Sequence, residues 1–120
     1  MSDGIVFIDG DYVKPEEARM SIFDSGFVWG DVVYDVTSSW NRWIFRLDEH
    51  IERFHQSIEG FRLKSPYSHD EMRRICAECV KKSGLDDAYI KVQMTRGVIP
   101  SQTRDPRLGE CQFVAYAIPY

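Results

Sequence analysis

Leu47-Asp48-Glu49-His50-Ile51-Glu52-Arg53-Phe54-His55-Gln56-Ser57-Ile58-Glu59-Gly60-Phe61-Arg62 is the stretch that decides the fold. Leu47, Ile51, Phe54, Ile58 and Phe61 recur at spacings of four, three, four and three, which is one apolar stripe along an α-helix. The spacing predicts a helix from about Asp48 to Arg62. Asp48 is placed to cap its start, and Glu49 and Glu52 suit the positive end of its dipole. A helix with one apolar face needs something to pack on, and the flanking sequence reads as strands. Upstream, Val32 to Trp40 alternates, with Tyr34, Val36, Ser38 and Trp40 on one face, and Asn41-Arg42 turns the chain into Trp43-Ile44-Phe45. Further upstream, Asp9-Gly10-Asp11 between Ile5–Ile8 and Tyr12-Val13 is a hairpin signal. Pro15 to Arg19 reads as a turn or short helical piece, and Asp24-Ser25-Gly26 as a turn.

Downstream, Ser68 with Glu71 three residues on forms a capping box for a second helix. Its stripe is Met72, Ile75, Cys76, Cys79 and Val80, and Lys81-Lys82 followed by Gly84 closes it. A strand is predicted from about Ala88 to Arg96, a loop from Gly97 to Gly109, and a last strand from Cys111 to Ile118, which Pro119-Tyr120 leaves abruptly. Strands and helices in this order make an α+β domain.

At 120 residues the chain suffices for one core and not two. Apolar residues are 43% and charged ones 28%, as in ordinary globular domains, and the net charge of −4 argues against nucleic acid or an anionic membrane as partner. No apolar run approaches a membrane span, and Met1-Ser2-Asp3-Gly4 does not open an export signal. Three cysteines, an odd number, fit a reducing compartment, so a cytoplasmic location is expected. Aromatics at 13%, spread over segments read as strands, exceed what so small a domain buries, and part of the surface is expected to face a partner, another domain or a ligand.

Helical geometry, at about 100° per residue, gathers His50, Arg53 and Ser57 on one flank of the first helix's apolar stripe and sends Glu49, Glu52 and Glu59 to the far side. Any single helix arginine is commonly just solvated. A guanidinium held at the core's edge by a rigid helix also suits bidentate binding of a phosphate or carboxylate. On the strand after the second helix, Tyr89, Lys91, Gln93 and Thr95 share one face and Ile90, Val92 and Met94 the other. The tyrosine, lysine and amide suit a pocket wall and equally a solvated sheet face. Cys76-x-x-Cys79 lies on a helix's apolar stripe and reads as core packing, and His55 and His69 lack a partner at metal-ligand spacing.

Ser21-Ile22-Phe23-Asp24-Ser25-Gly26-Phe27, Gly30-Asp31-Val32-Val33-Tyr34-Asp35-Val36 and Phe45-Arg46-Leu47-Asp48-Glu49-His50-Ile51-Glu52-Arg53, in this order and spacing, resemble the N-terminal domain of class IV (fold type IV) pyridoxal-phosphate-dependent aminotransferases. Ala88-Tyr89-Ile90-Lys91, Thr95-Arg96-Gly97 and Ala115-Tyr116-Ala117-Ile118-Pro119-Tyr120 extend the likeness over nearly the whole chain. The resemblance implies an antiparallel sheet with two main helices packed on one face, residues 1–120 forming the small domain. It implies pyridoxal 5'-phosphate as cofactor, an amino donor and a keto acid as substrates, and a homodimer. Arg53 matches the arginine that contacts the cofactor phosphate. Tyr34, Val36, Tyr89 and Lys91 match substrate-pocket positions, Trp29 makes one pocket position bulky, and Arg104 or Arg107 matches a loop arginine for a substrate carboxylate. The family's cofactor-binding lysine lies in a C-terminal domain, so no catalytic residue is expected within these 120 residues, which are expected to be inactive alone. A C–N lyase acting on an aminodeoxychorismate-like substrate, and a domain acting only by association, are the alternative expectations.

Overall fold

A computed structural model describes residues 3–100 and 105–120. Its strands are β1 (Ile5–Ile8), β2 (Asp11–Val13), β3 (Val32–Trp40), β4 (Trp43–Ile44), β5 (Ala88–Thr95) and β6 (Gln112–Pro119). Its helices are α1 (Ser25–Val28), α2 (Leu47–Gly60) and α3 (His69–Ser83), with short 3-10 turns at Pro15–Glu17 and Pro106–Leu108. The strands form one sheet in the order β2-β1-β6-β5-β3-β4, and every pairing is antiparallel. The α+β architecture, with α2 and α3 on one face, is the one expected.

Both predicted hairpins form, each by a two-residue turn with positive φ at both positions, the geometry that matches strand twist. Asp9 and Gly10 have φ of 52° and 80°, and Asn41 and Arg42 have 52° and 67°. Arginine is uncommon in that region, and tertiary bonds hold it there. The Arg42 N–H donates to the Asp86 carbonyl at 2.8 Å and its Nε to the Asp86 carboxylate at 2.9 Å, while the Asn41 N–H donates to Asp87 Oδ1 at 3.0 Å.

Strand parity sends Val33, Ile90, Val92, Met94, Phe113, Ala115 and Ala117 to the helix side, where Ile51, Phe54 and Ile58 of α2 meet Met72, Ile75, Cys76, Cys79 and Val80 of α3. The cysteine pair is core packing: burial pushes the Cys76 thiol up to about 12, and burial also raises Cys79. The capping box at Ser68 and Glu71 is present, and Gly84 ends α3 at φ 70°. His55 and His69 stack with ring centroids 3.5 Å apart, joining α2 to α3.

The start of α2 departs from expectation. Asp48 is not the cap. The helix begins at Leu47, after Arg46 in a left-handed conformation at φ 48° with no side-chain cap bond, and the Arg46 carbonyl takes the His50 N–H at 3.1 Å. Asp48 instead lies 3.4 Å from Arg73 of α3. At the other end the chain leaves α2 through Arg62 at φ 57°, and Leu63 turns inward, so Leu63 is buried and Phe61 is exposed. Pro119 still belongs to β6, paired with Ala88.

Candidate active site

β3 builds the site by alternation. Asp35 points to the helix side, where α2 brings His50 and Arg53, while Tyr34 and Val36 point to the outer face. Arg53 Nε donates to Asp35 Oδ2 at 2.7 Å and its Nη2 to Asp35 Oδ1 at 2.9 Å. His50 Nδ1 lies 2.7 Å from Oδ1, and since an ionised carboxylate only accepts, Nδ1 carries the proton. The Val36 N–H also donates to Oδ1, at 2.9 Å. Burial pushes the Asp35 carboxyl up, but the hydrogen bonds from Arg53 and His50 outweigh it and hold it below the usual carboxylate range. The Asp35 side chain is 4% exposed and that of Arg53 is 66% exposed. The guanidinium edge not used on Asp35, both Nη1–H and the second Nη2–H, is therefore free to face a cavity of about 320 Å³ lined by Phe45, Arg46, Glu49, His50 and Arg53.

The outer face carries the second group. Lys91 Nζ sits 4.6 Å from the centre of the Tyr34 ring, a cation over an aromatic face. Val36 on one neighbouring strand and Tyr116 on the other stand opposite Lys91. Tyr89 stacks near Tyr116 at 6.4 Å, and Trp40 lies 4.9 Å from Tyr120. Burial, then the neighbouring Tyr89, pushes the Tyr116 phenol up, so it remains a proton donor near neutrality. Among the described residues Lys91 has no carboxylate partner.

Arg53 and the Tyr34–Lys91 pair thus lie on opposite sides of the sheet. Beyond them, β4 pairs with the edge of β3 at Ser39 and Trp40, the Phe45 N–H donates to the Ser38 carbonyl at 2.8 Å, and among the described residues no strand pairs with the rest of that edge.

Trp29 follows α1, whose cap Asp24 accepts from Gly26 N–H at 2.8 Å and from Thr95 Oγ1 at 2.9 Å. This turn covers Thr95, which is buried rather than lining the outer face with Tyr89, Lys91 and Gln93. Arg96 clasps Asp31 through Nε at 2.5 Å and Nη2 at 3.2 Å and also reaches the Phe61 carbonyl at 2.8 Å, fixing the turn to the end of α2. Arg107 does not join the Tyr34–Lys91 group. It is tied to Asp105 at 2.6 Å, which draws that carboxyl down to about 2, and lines another cavity, of about 360 Å³, with Phe61, Arg62, Lys64 and Arg96. Arg104 lies outside the described residues.

Reading the sequence for this site missed Asp35. The signal was present: a carboxylate at an inward position of a strand requires a cation, and the Arg53 flank of α2 supplies one.

This fold with this flank defines a family. Residues 32–111 match the model of amino-transferase class IV, and the chain belongs to that family. It is 30% identical over 114 residues to a putative branched-chain-amino-acid aminotransferase of Methanocaldococcus jannaschii, covering 95% of this chain and 40% of that protein. It is 34% identical over 95 residues to D-alanine aminotransferase of Staphylococcus haemolyticus, covering 79% of this chain and 34% of that one. Its fold superimposes with a TM-score of 0.86 on the branched-chain aminotransferase of the thermophilic archaeon Thermoproteus uzoniensis with norvaline, at 26% identity and covering 97% of this chain and 40% of that one. The chain therefore spans well under half the length of these proteins.

Proposed function

We propose that the chain is the small domain of a pyridoxal-phosphate-dependent transaminase that moves an amino group between an amino acid or (R)-amine and a keto acid. The observation that carries this reading is the Arg53 guanidinium, held on one edge by Asp35 and open on the other beside a cavity. The donor set fits a phosphate monoester: N–H groups held in place on a packed helix, with His50 beside them. Arg46, on the same cavity, is already paired with Glu49. Bound pyridoxal 5'-phosphate would supply an electron sink at the substrate's amino-bearing carbon. Within this chain Arg53 holds the phosphate, Tyr34, Val36 and Trp29 shape the substrate space, and Tyr89 and Lys91 face the substrate's polar end. Arg107 is tied to Asp105 and stands apart from the Tyr34–Lys91 group, so its carboxylate-binding role is the weaker part of the proposal. By the family resemblance, the lysine that binds the cofactor covalently lies outside the stretch this chain matches, so the whole activity is proposed for the full-length protein only. The direct test is keto-acid formation by the full-length protein from D-alanine, branched-chain L-amino acids and (R)-amines with added cofactor. No turnover of any of them would reject the reading.

Lys91 gives the outer face a cation with no carboxylate partner among the described residues, which supports a substrate that carries an anionic group. Replacing Lys91 by Glu is expected to lower kcat/KM about tenfold for carboxylate-bearing donors and to spare neutral amines, as loss of one charge-assisted hydrogen bond would. Equal losses for both would mean that Lys91 only supports the sheet.

Association with a second copy is part of the proposal. Ile22, Phe23, Phe27 and Trp29 are all more than half exposed around the rigid Asp24-capped turn, and Trp43 is 81% exposed. Such a load marks a contact surface. Sedimentation is expected to show self-association that Phe27→Ser weakens. A strict monomer at high concentration, with no apolar-dye binding, would remove dimerisation from the proposal.

A further inference from the structure

We propose that Asp35 is a positioning residue, which aims Arg53 at the cofactor phosphate without touching the cofactor itself. The inference rests on the phosphate reading of Arg53 and adds a second residue to it.

A long arginine side chain on a helix surface keeps several rotamers, and its phosphate affinity suffers from freezing them on binding. Arg53 is mostly exposed, so packing does not choose its rotamer. Asp35 does. Its carboxylate is itself fixed: it is buried, it sits on a strand paired with β5 from Val32 to Ser39, and Oδ1 accepts from the Val36 N–H and from His50. Taking Nε and one Nη2 proton on a planar fork leaves the guanidinium a single orientation, with its free edge turned away from Asp35. The arrangement resembles that of metal ligands oriented by an outer carboxylate, in which the supporting group contributes geometry rather than contact.

Simple electrostatics predicts the opposite. A carboxylate bonded to the phosphate's cation cancels part of its charge, so removing the carboxylate should tighten phosphate binding. The sign of the effect of Asp35→Asn therefore separates the two accounts.

The experiment is a set of dissociation constants on the full-length protein, for pyridoxal 5'-phosphate and for pyridoxal, which lacks the phosphate. Wild type is compared with Asp35→Asn, Asp35→Glu, Arg53→Ala and the Asp35→Asn, Arg53→Ala double variant. Positioning is expected to make Asp35→Asn about tenfold weaker for pyridoxal 5'-phosphate and unchanged for pyridoxal, with Asp35→Glu recovering much of the loss. In the Arg53→Ala background the second substitution should add nothing, since there is no guanidinium left to aim. If Asp35→Asn binds the phosphate form as tightly as wild type or tighter while Arg53→Ala is weak, Arg53 holds phosphate and Asp35 does not position it. If Asp35→Asn weakens both ligands equally, Asp35 serves the fold alone and the proposal falls. If Arg53→Ala itself keeps wild-type affinity for the phosphate form, the phosphate reading fails and takes the proposal with it. Asp35→Glu, which keeps the charge, covers the case in which Asp35→Asn does not fold. A small residual loss confined to the phosphate form is then expected, and an equal loss for both ligands would overturn the proposal.

Discussion

Arg53→Ala in the full-length protein is expected to raise the dissociation constant for pyridoxal 5'-phosphate about ten- to a hundredfold, the scale of one lost charge-assisted contact to a phosphate. Spectroscopic titration of the apo-protein measures it. Arg53→Lys should recover only part of the loss. An ammonium has no planar fork, so it does not hold Asp35 on one edge and a phosphate on the other. Position relative to the helix stripe alone would make the substitution silent for folding, but the ion pair changes that expectation. Asp35 is buried, and without Arg53 it keeps only His50 and the Val36 N–H, so Arg53→Ala should also lower the melting temperature, and more at neutral pH than in acid. The sign follows from the depressed carboxyl. Its stabilisation is present above the ordinary carboxylate range and is lost as the pH falls through the folded value. Arg62, just past the end of α2, is the control, replaced by glycine because its φ of 57° suits that residue. Arg62→Gly should leave cofactor affinity intact. Wild-type affinity in Arg53→Ala would leave the family resemblance true of the fold and not of this residue's role.

Gly97→Ala should be the most damaging single methyl in the chain, costing about 3 kcal/mol or more. Gly97 has φ of 80°, and a Cβ there would lie 1.8 Å from the Glu110 carbonyl oxygen. Gly109, across the same crossing, would put a Cβ 2.3 Å from the Arg96 carbonyl oxygen. Backbone meets backbone on both sides, so no side chain can swing away. The Gly97 carbonyl also holds the Ser25 N–H at 2.9 Å, and the Gly97 N–H donates to Thr95 Oγ1 at 3.0 Å. A shift at Gly97 therefore propagates to the Asp24-capped turn that carries Trp29. Thermal melting is expected to fall by about 10 °C or more. Gly10→Asn, at a hairpin tip where φ is 80° but an added Cβ meets nothing within 4 Å, is the comparison and should cost only the left-handed backbone strain, well below the Gly97 effect. A Gly97→Ala variant as stable as Gly10→Asn would mean that residues 96–97 and 109–110 do not cross as closely as described.

Much of the fold was legible because its signals are local. The Ile51–Phe54–Ile58 stripe, the Ser68 and Glu71 box, Gly84 and the Asp9-Gly10 turn each act within a few residues, and each stands where its chemistry places it. The parts that were not legible are those in which a distant residue decides. Arg46 enters a left-handed conformation that its own side chain does not favour, so Asp48 looked like the cap. Phe61 completes the helical rhythm, yet the chain turns at Arg62 and Leu63 takes the buried position. Thr95 has the parity of the outer face, but the turn at Asp24 covers it from far along the sequence. The site follows the same division. The faces on which Arg53, Tyr34 and Lys91 stand were each readable from helix flank or strand parity. That Arg53 lies on the opposite side of the sheet from Lys91, and that Asp35 holds it, depends on how α2 rests on β3.

The open edge of β3 has a consequence for how the protein behaves in a crowded solution. An exposed strand edge offers unpaired N–H and C=O groups to any other chain, and polymerisation through such edges is the standing hazard of sheet proteins. Here one of those donors, the Val36 N–H, is already taken by Asp35. The carboxylate that sets the guanidinium thus also takes up one of the backbone donors that a foreign strand would need along this edge.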